Sequence, residues 1–179
     1  MSNPNLRIMI NNYSGWHVLY VKHQHEKKVN TLLRESELDS FLPLVSKINQ
    51  WRDRKKRVQL PLFPSYVFLK LKSKKDLYNA LRIRSVFMCL RFGKDYAVVT
   101  DEEILKIKQI LSLESLSEIH VAPIESQVGD KVRINYGPLK GLKCEIFKIN
   151  NKNRLVVRID SLKQNIIATI PLNFIDPID

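Results

Sequence analysis

The sequence predicts an α+β protein in two parts: an antiparallel-rich α/β sandwich over residues 1–111 and a small all-β barrel over 127–179, joined by a linker at 112–126. Three observations carry that reading. Up to Leu111 the apolar residues switch repeatedly between a period of two and a period of 3.6, as alternating strands and helices do. From Val128 onward only short strand-like runs and turns follow, the spacing of a small barrel. Between them "SLESLSEIHVAPIESQ" holds three acidic residues and no basic one, whereas residues 1–111 carry 21 basic against 10 acidic.

Each element has its own signal. "GWHVLYVK" (15–22) places Trp16, Val18 and Tyr20 on one face and His17, Leu19 and Val21 on the other, apolar on both as a central strand requires. "HEKKVNTLLRES" follows with Val29, Leu32 and Leu33 in one helical stripe and Lys27, Lys28 and Arg34 outside it. "SFLPLV" is expected as a short edge strand, since Pro43 cannot donate to a ladder. A basic loop containing "WRDRKKR" (51–57) comes next, then "SYVFLKLK", with Tyr66, Phe68 and Lys70 on one side and Val67, Leu69 and Leu71 on the other. "KKDLYNALRIR" sets Leu77, Leu81 and Tyr78 at helical spacing, "SVFMCLRF" resumes a strand, and "YAVV" is a further short one. Thr100 and Glu103 form a capping-box signature ahead of Ile104, Ile107, Ile110 and Leu111, so a helix starts near Asp101. The first part therefore reads β-α-β-β-α-β-β-α, and "DKVRIN", "KCEIFKIN", "RLVVRID", "NIIATIPL" and "NFIDPI" are the strands of the second.

Composition limits the function. A net charge of +12, with a pI near 9.8, favours a polyanionic partner such as nucleic acid, or an acidic protein or membrane surface. A merely basic soluble protein is the alternative. Residues 127–179 hold 9 basic and 5 acidic residues, so the polyanion-facing surface is expected mainly in the first part. Cys89 and Cys144 lie in apolar runs without C-x-x-C spacing, which argues against a disulfide framework or a zinc site and for a reducing compartment. His23 and His25 alternate without a third ligand at metal spacing, so neither metal nor cofactor is expected. No Gly-rich phosphate loop, H-E-x-x-H or G-x-S-x-G is present, and Asp101, Glu102 and Glu103 suit a helix N-terminus, so catalysis is not expected. No apolar stretch approaches the roughly 18 to 20 residues of a membrane span, and the "MSNPN" start has no signal-peptide core. A cytoplasmic protein without a membrane partner, acting as a monomer, is the expectation.

The order Trp16-x-x-Leu19-Tyr20-x-Lys22, a basic helix, "PLFPSYVF" (61–68), "IRSV" (83–86), "LRFG" (90–93) and "VGDKVRINYGPLKG" (128–141) resembles the NusG family of transcription elongation factors over nearly the whole chain. The resemblance implies a NusG-type N-terminal domain followed by an SH3-like KOW barrel. In the latter, Gly129-Asp130 opens a strand, and Gly137-Pro138 and Gly141 close a turn that must bend sharply. "PLFPSYVF" followed by "RFG" is closer to the specialised paralogues RfaH and UpxY, and "KHQHEKKV" with "FLPL" and "QWRDRKK" resembles UpxY most.

The resemblance implies partners and sites. In the family the N-terminal domain docks an apolar pocket on the clamp helices of the largest RNA polymerase subunit, and motif position puts Tyr66, Phe68, Phe92 and Ile104 there. Aromatics in an apolar patch are favoured interface anchors. The bland alternative is that Tyr66 and Phe68 simply face the core. Lys22, Lys28 and Arg84 match or lie beside positions where RfaH-like proteins hold the non-template DNA strand, and His23, His25 and Trp51 add stacking or polar contacts. Arg52, Arg54, Lys55, Lys56 and Arg57, countered only by Asp53, suit DNA phosphates, or else form a solvated charged loop. Pro61 and Pro64 would stiffen the return from that loop.

The chain departs from RfaH at Leu32 and Glu35 on the first helix and at Leu77-Tyr78-Asn79, where RfaH has its gate-loop contact. A KOW barrel implies a small-subunit ribosomal protein or the termination factor Rho as partner. The helical alternate state of RfaH is not expected, because Ile146, Ile149, Val156, Val157, Ile159, Ile166 and Ile167 favour strands. The expected function is processivity and antitermination on a subset of long operons. Housekeeping NusG and a ribosomal RNA-binding KOW protein are the alternatives.

Overall fold

The computed structural model describes residues 13–50, 55–113, 116–123, 130–134, 143–149, 152–169 and 175–177. By its internal contacts the chain forms two compact units, one of residues 1–42 and 64–100, the other of 43–63 and 101–179.

The first unit is built on β1 (Gly15–Val21), whose apolar residues on both faces place it inside a sheet. It pairs antiparallel with β5 (Tyr66–Leu71) on one side and β6 (Val86–Cys89) on the other, and β2 (Asp39–Phe41) closes the far edge of β5. Helices α1 (Glu26–Glu35) and α2 (Lys74–Leu81) pack on β5 and bury Val29, Leu33, Leu77 and Ala80 with Leu19, Val21, Val67, Leu69 and Leu71 of the sheet. On α2 the buried pair is Leu77 and Ala80, whereas Tyr78 and Leu81, expected in the apolar stripe, are exposed. Eight residues complete little more than two turns, so one i, i+3 pair is all this helix presents to the core.

The expected strand over 85–92 is interrupted. After β6 the Leu90 amide bonds the Val18 carbonyl, and Arg91–Phe92 (β7) turns back on Asp95–Tyr96 (β8) through Gly93 at φ +65°. Val98–Val99 (β9) then pairs with β1 opposite Trp16 and His17. A Cβ on Gly15, at φ +101°, would come within 3.4 Å of the Val98 side chain, which fits glycine at the start of β1.

In the second unit the last residues of the expected basic loop, 55–57, belong to a two-stranded ribbon. β3 (Leu44–Gln50) and β4 (Lys55–Pro61) are in register from Leu44 opposite Pro61 to Gln50 opposite Lys55. Pro43 is therefore not inside an edge strand; it separates β2 from β3. Helix α3 (Asp101–Leu111) starts where the sequence predicts and buries Ile104, Ile107 and Ile110. Residues 117–123, expected within a linker, form strand β10 (Ser117–Pro123).

β10 is the edge of a six-stranded antiparallel sheet. The other strands are β11 (Asp130–Ile134), β12 (Lys143–Ile149), β13 (Lys152–Ile159), β14 (Gln164–Thr169) and β15 (Ile175–Pro177), in the order β10-β14-β13-β12-β11-β15. Leu155, Val157, Ile159, Ile166 and Ala168 fill its buried positions. Arg158 of β13 donates to both carboxylate oxygens of Glu145, at 3.0 and 2.9 Å. Arg154 donates to Thr169 and Glu118, each at 2.7 Å, joining β13, β14 and β10.

Candidate functional site

Two features of the first unit meet at the end of its sheet. The first is an aromatic row. Alternation along β1 brings Tyr20 out at the strand end, opposite Tyr66 of β5 and Met88 of β6. The ring of Tyr20 lies 6.0 Å from that of Tyr66, edge-on, and 5.7 Å from that of Phe87. Tyr20 is 41%, Met88 46% and Phe87 60% exposed. Large apolar side chains side by side at a surface are candidate contacts rather than core residues.

Deeper on the same face the row continues under cover. Phe68 is fully buried with its ring 6.0 Å from Phe41, Trp16 stands edge-on to Phe41, and the Lys70 ammonium sits 5.6 Å from the Trp16 ring centroid. Of the residues expected to dock a partner, Tyr66 is half-buried and Phe68 closed to solvent. Phe92 is exposed in β7, and Ile104 is buried in α3 of the other unit. Nothing in the sequence marks Tyr20, Phe87 and Met88 as one surface group: the period-2 pattern of β1 gives the face of Tyr20, but neither the faces of Phe87 and Met88 in β6 nor the point at which cover stops.

The second feature is a basic turn. The Lys22 amide donates to the Ser85 carbonyl at 2.9 Å, and His25 Nδ1 lies 2.9 Å from Ser85 Oγ. The end of β1 is thereby tied to the turn that carries Arg84. Lys22, His23, Lys28 and Arg84 are exposed there and His25 is half-buried, so the residues expected to contact nucleic acid in this part of the chain do gather at one end.

A buried carboxylate holds the turn. Glu26, in the first turn of α1, is only 3% exposed and accepts the Ser65 amide at 2.8 Å, while the Ser65 carbonyl accepts the Val21 amide. Gln24 and Ser65 take left-handed backbone conformations, at φ 63° and 65°, to make these connections. Neither Glu26 nor Ser85 carried a sequence signal.

In the ribbon, Arg57 is exposed and stands opposite Ile48, itself exposed. Lys55 and Lys56 lie in β4. Trp51, Arg52 and Arg54 lie outside the described residues, as do Gly129, Gly137, Pro138 and Gly141 of the expected KOW turn; Asp130 opens β11 opposite Ile146. Among the described residues no group of three His, Cys, Asp or Glu side chains is placed to hold a metal ion. Burial raises the Cys89 thiol to about 11 and the Cys144 thiol to about 12, which makes both poor nucleophiles at neutral pH.

The family model described as transcription termination factor NusG matches residues 14–108, which spans β1 through most of α3. The chain belongs to the NusG family. Its fold is similar to that of a Thermotoga maritima NusG structure titled "Domain interaction in Thermotoga maritima NusG", at 19% identity and a TM-score of 0.53, covering 92% of this chain and 97% of that one. Likenesses to two conformations of the MjSpt4:Spt5 complex, at 16% and 17% identity, cover 92% of the chain with TM-scores of 0.32, too low to bear on the fold. As a NusG-family member the chain is a transcription elongation factor of the NusG type, a family whose members bind RNA polymerase. None of its described helices is long and apolar enough to cross a membrane.

Proposed function

We propose that this NusG-family chain is a cytoplasmic, non-enzymatic processivity and antitermination factor serving a subset of long operons. In this reading the aromatic end of the first unit's sheet docks on the clamp helices of the largest polymerase subunit, with Tyr66 at its centre, buried Phe68 supporting it from the core, and Phe92 contributing. The observation that supports it is the aromatic row of half-buried Tyr66 with exposed Tyr20 and Phe87, because aromatic anchors in a partly open apolar patch are the usual carriers of interface energy. Lys22, His23, His25, Lys28 and Arg84 then face the non-template strand, and Arg52, Arg54, Lys55, Lys56 and Arg57 contact duplex phosphates.

Residues 1–111 carry these contacts in the proposal. Residues 127–179 act as a KOW barrel, without a helical alternate state, that recruits a small-subunit ribosomal protein or Rho. The specialised rather than the housekeeping role rests on "PLFPSYVF", "RFG" and the UpxY-like "QWRDRKK".

The test is binding of the full chain to a polymerase elongation complex, alongside circular dichroism of each variant. Tyr66→Ala is expected to weaken binding by about 2 kcal/mol, the scale of an interface hot spot, with the fold intact. Wild-type protein that ignores polymerase at low salt but retains ribosomal RNA would replace this reading with that of a ribosomal KOW protein.

A further inference from the structure

β10 sits at the edge of the six-stranded sheet but adds little to its core. Glu118 and His120 are exposed and Ile119, Val121 and Ala122 half-buried, whereas β14 beside them buries Asn165, Ile166 and Ala168. The register slips between Ser117 and His120, around Glu118 at φ +54°, a left-handed conformation that strains a residue with a side chain. A strand with few buried apolar side chains and an interrupted ladder opens before the core strands do. β14 keeps its place without it, because its other edge is paired with β13 from Arg154 opposite Thr169 to Ile159 opposite Gln164.

A charge holds β10 down. Glu118 accepts from Arg154 at 2.7 Å and from the Thr169 hydroxyl at 3.0 Å, and Arg154 also donates to Thr169. The Arg154 side chain is only 19% exposed, so a β10 that lifts off takes the carboxylate away from a largely buried guanidinium. The edge of β14 thus presents two things to whatever pairs with it: a row of backbone donors and acceptors, and at its Thr169 end a cation that needs an acid.

We infer that β10 is a removable cover on a strand-binding edge: when it lifts off, β14 accepts an extended segment of another protein that sets an Asp or Glu beside Arg154. β10 shows what such a segment looks like, since it is what the edge already holds. This gate goes beyond the recruiting role proposed for residues 127–179, because it puts the ligand on one edge of the sheet and makes β10 its competitor. It stands or falls apart from the polymerase contacts proposed for residues 1–111.

The test uses the full chain and a fluorescein-labelled peptide of residues 115–124, SLSEIHVAPI, read by anisotropy. Successive strand residues point their amides to opposite sides, so the double variant His120→Pro, Val121→Pro removes a β14-facing amide whichever of the two supplies it. That variant is expected to bind the peptide about ten-fold more tightly than wild type does, and the Glu118→Ala peptide roughly ten-fold more weakly than the intact one. Equal affinity of wild type and the double variant overturns the gate. No binding by the double variant, with the β13 amides still protected from exchange, overturns the edge as a binding site, and equal affinity of the two peptides overturns its demand for an acid. Hydrogen exchange on the wild-type chain decides the gate whether or not the variant folds: β10 amides are expected to exchange at least about ten-fold faster than those of β13. Equal rates would mean that β10 opens only with the whole sheet, and overturn the proposal.

Discussion

Glu26 shows how much of this surface hangs on single atoms. One carboxylate in the first turn of α1 accepts the amide of Ser65, the residue directly after Pro64 of "PLFP", and so joins the helix start to the strand that carries Tyr66. A helix N-terminus is also where a carboxylate is favoured by the aligned backbone dipoles. Glu26→Ala leaves the Ser65 amide without this acceptor and is expected to cost about 1–3 kcal/mol in urea unfolding. Glu26→Gln, which can still accept, is expected to cost less. The two thiols make a separate prediction at the same scale. With Cys89 and Cys144 raised to about 11 and 12 by burial, the native chain is expected to resist a thiol-directed reagent at neutral pH and to react at both positions only when denatured. The sequence sets Cys89 and Cys144 in apolar runs, which agrees with their burial. The burial of Glu26 was not legible, because a carboxylate beside two lysines reads as a solvated helix face until the chain folds Ser65 onto it.

Elements were legible where hydrophobic alternation was uninterrupted. β1, β5, α1 and α3 follow their periodicity to within a residue or two. The ribbon β3-β4 was hidden because Lys47, Lys55, Lys56 and Arg57 break up the apolar alternation of Val45, Val58 and Leu60, leaving a pattern that reads as a charged loop. The cap of α2 went unread for a different reason: its signature uses Asp where the common box has Glu or Gln. Ser73 Oγ accepts the Asp76 amide at 3.3 Å, and Asp76 in return accepts the amides of Ser73 and Lys72 at 3.1 and 2.9 Å. These bonds, led by that from the Lys72 amide, hold the Asp76 carboxyl below its ordinary value. A carboxylate lowered on folding contributes stability above its unfolded pKa, near 3.9, and that contribution is lost as pH falls through the lower folded value. Asp76→Asn is therefore expected to cost about 1 kcal/mol at pH 7 and to make stability less dependent on pH below about 4. Chemical denaturation at a series of pH values measures both.

At the scale of the molecule, the composition changes after Leu111 and the described residues beyond it are mainly strands, but the path of the chain around that break is not written in the composition. Residues 117–123 pair with β14, and α3 groups by its contacts with the sheet that follows it. What joins them lies 58 residues apart in sequence, beyond any local pattern: Glu103 of α3 accepts the Ser161 amide at 3.0 Å and the Ser161 hydroxyl at 2.5 Å. The sequence pairs Glu103 with Thr100 as a capping box; the structure adds a long-range role, with the side chain 7% exposed and an oxygen on each Ser161 donor. Removing the two partners should therefore have unequal effects. Ser161→Ala deletes one donor and keeps the backbone bond, an expected loss of about 1 kcal/mol. Glu103→Ala removes a charged acceptor and leaves both the amide and the hydroxyl to find others, an expected loss of about 2–3 kcal/mol. Hydrogen exchange at residues 160–162 and along α3 distinguishes the cases. Faster exchange in both segments, larger for Glu103→Ala, is the result expected if this contact ties α3 to the sheet. Exchange unchanged in α3 for either variant would show that Ile104, Ile107 and Ile110 hold the helix without it.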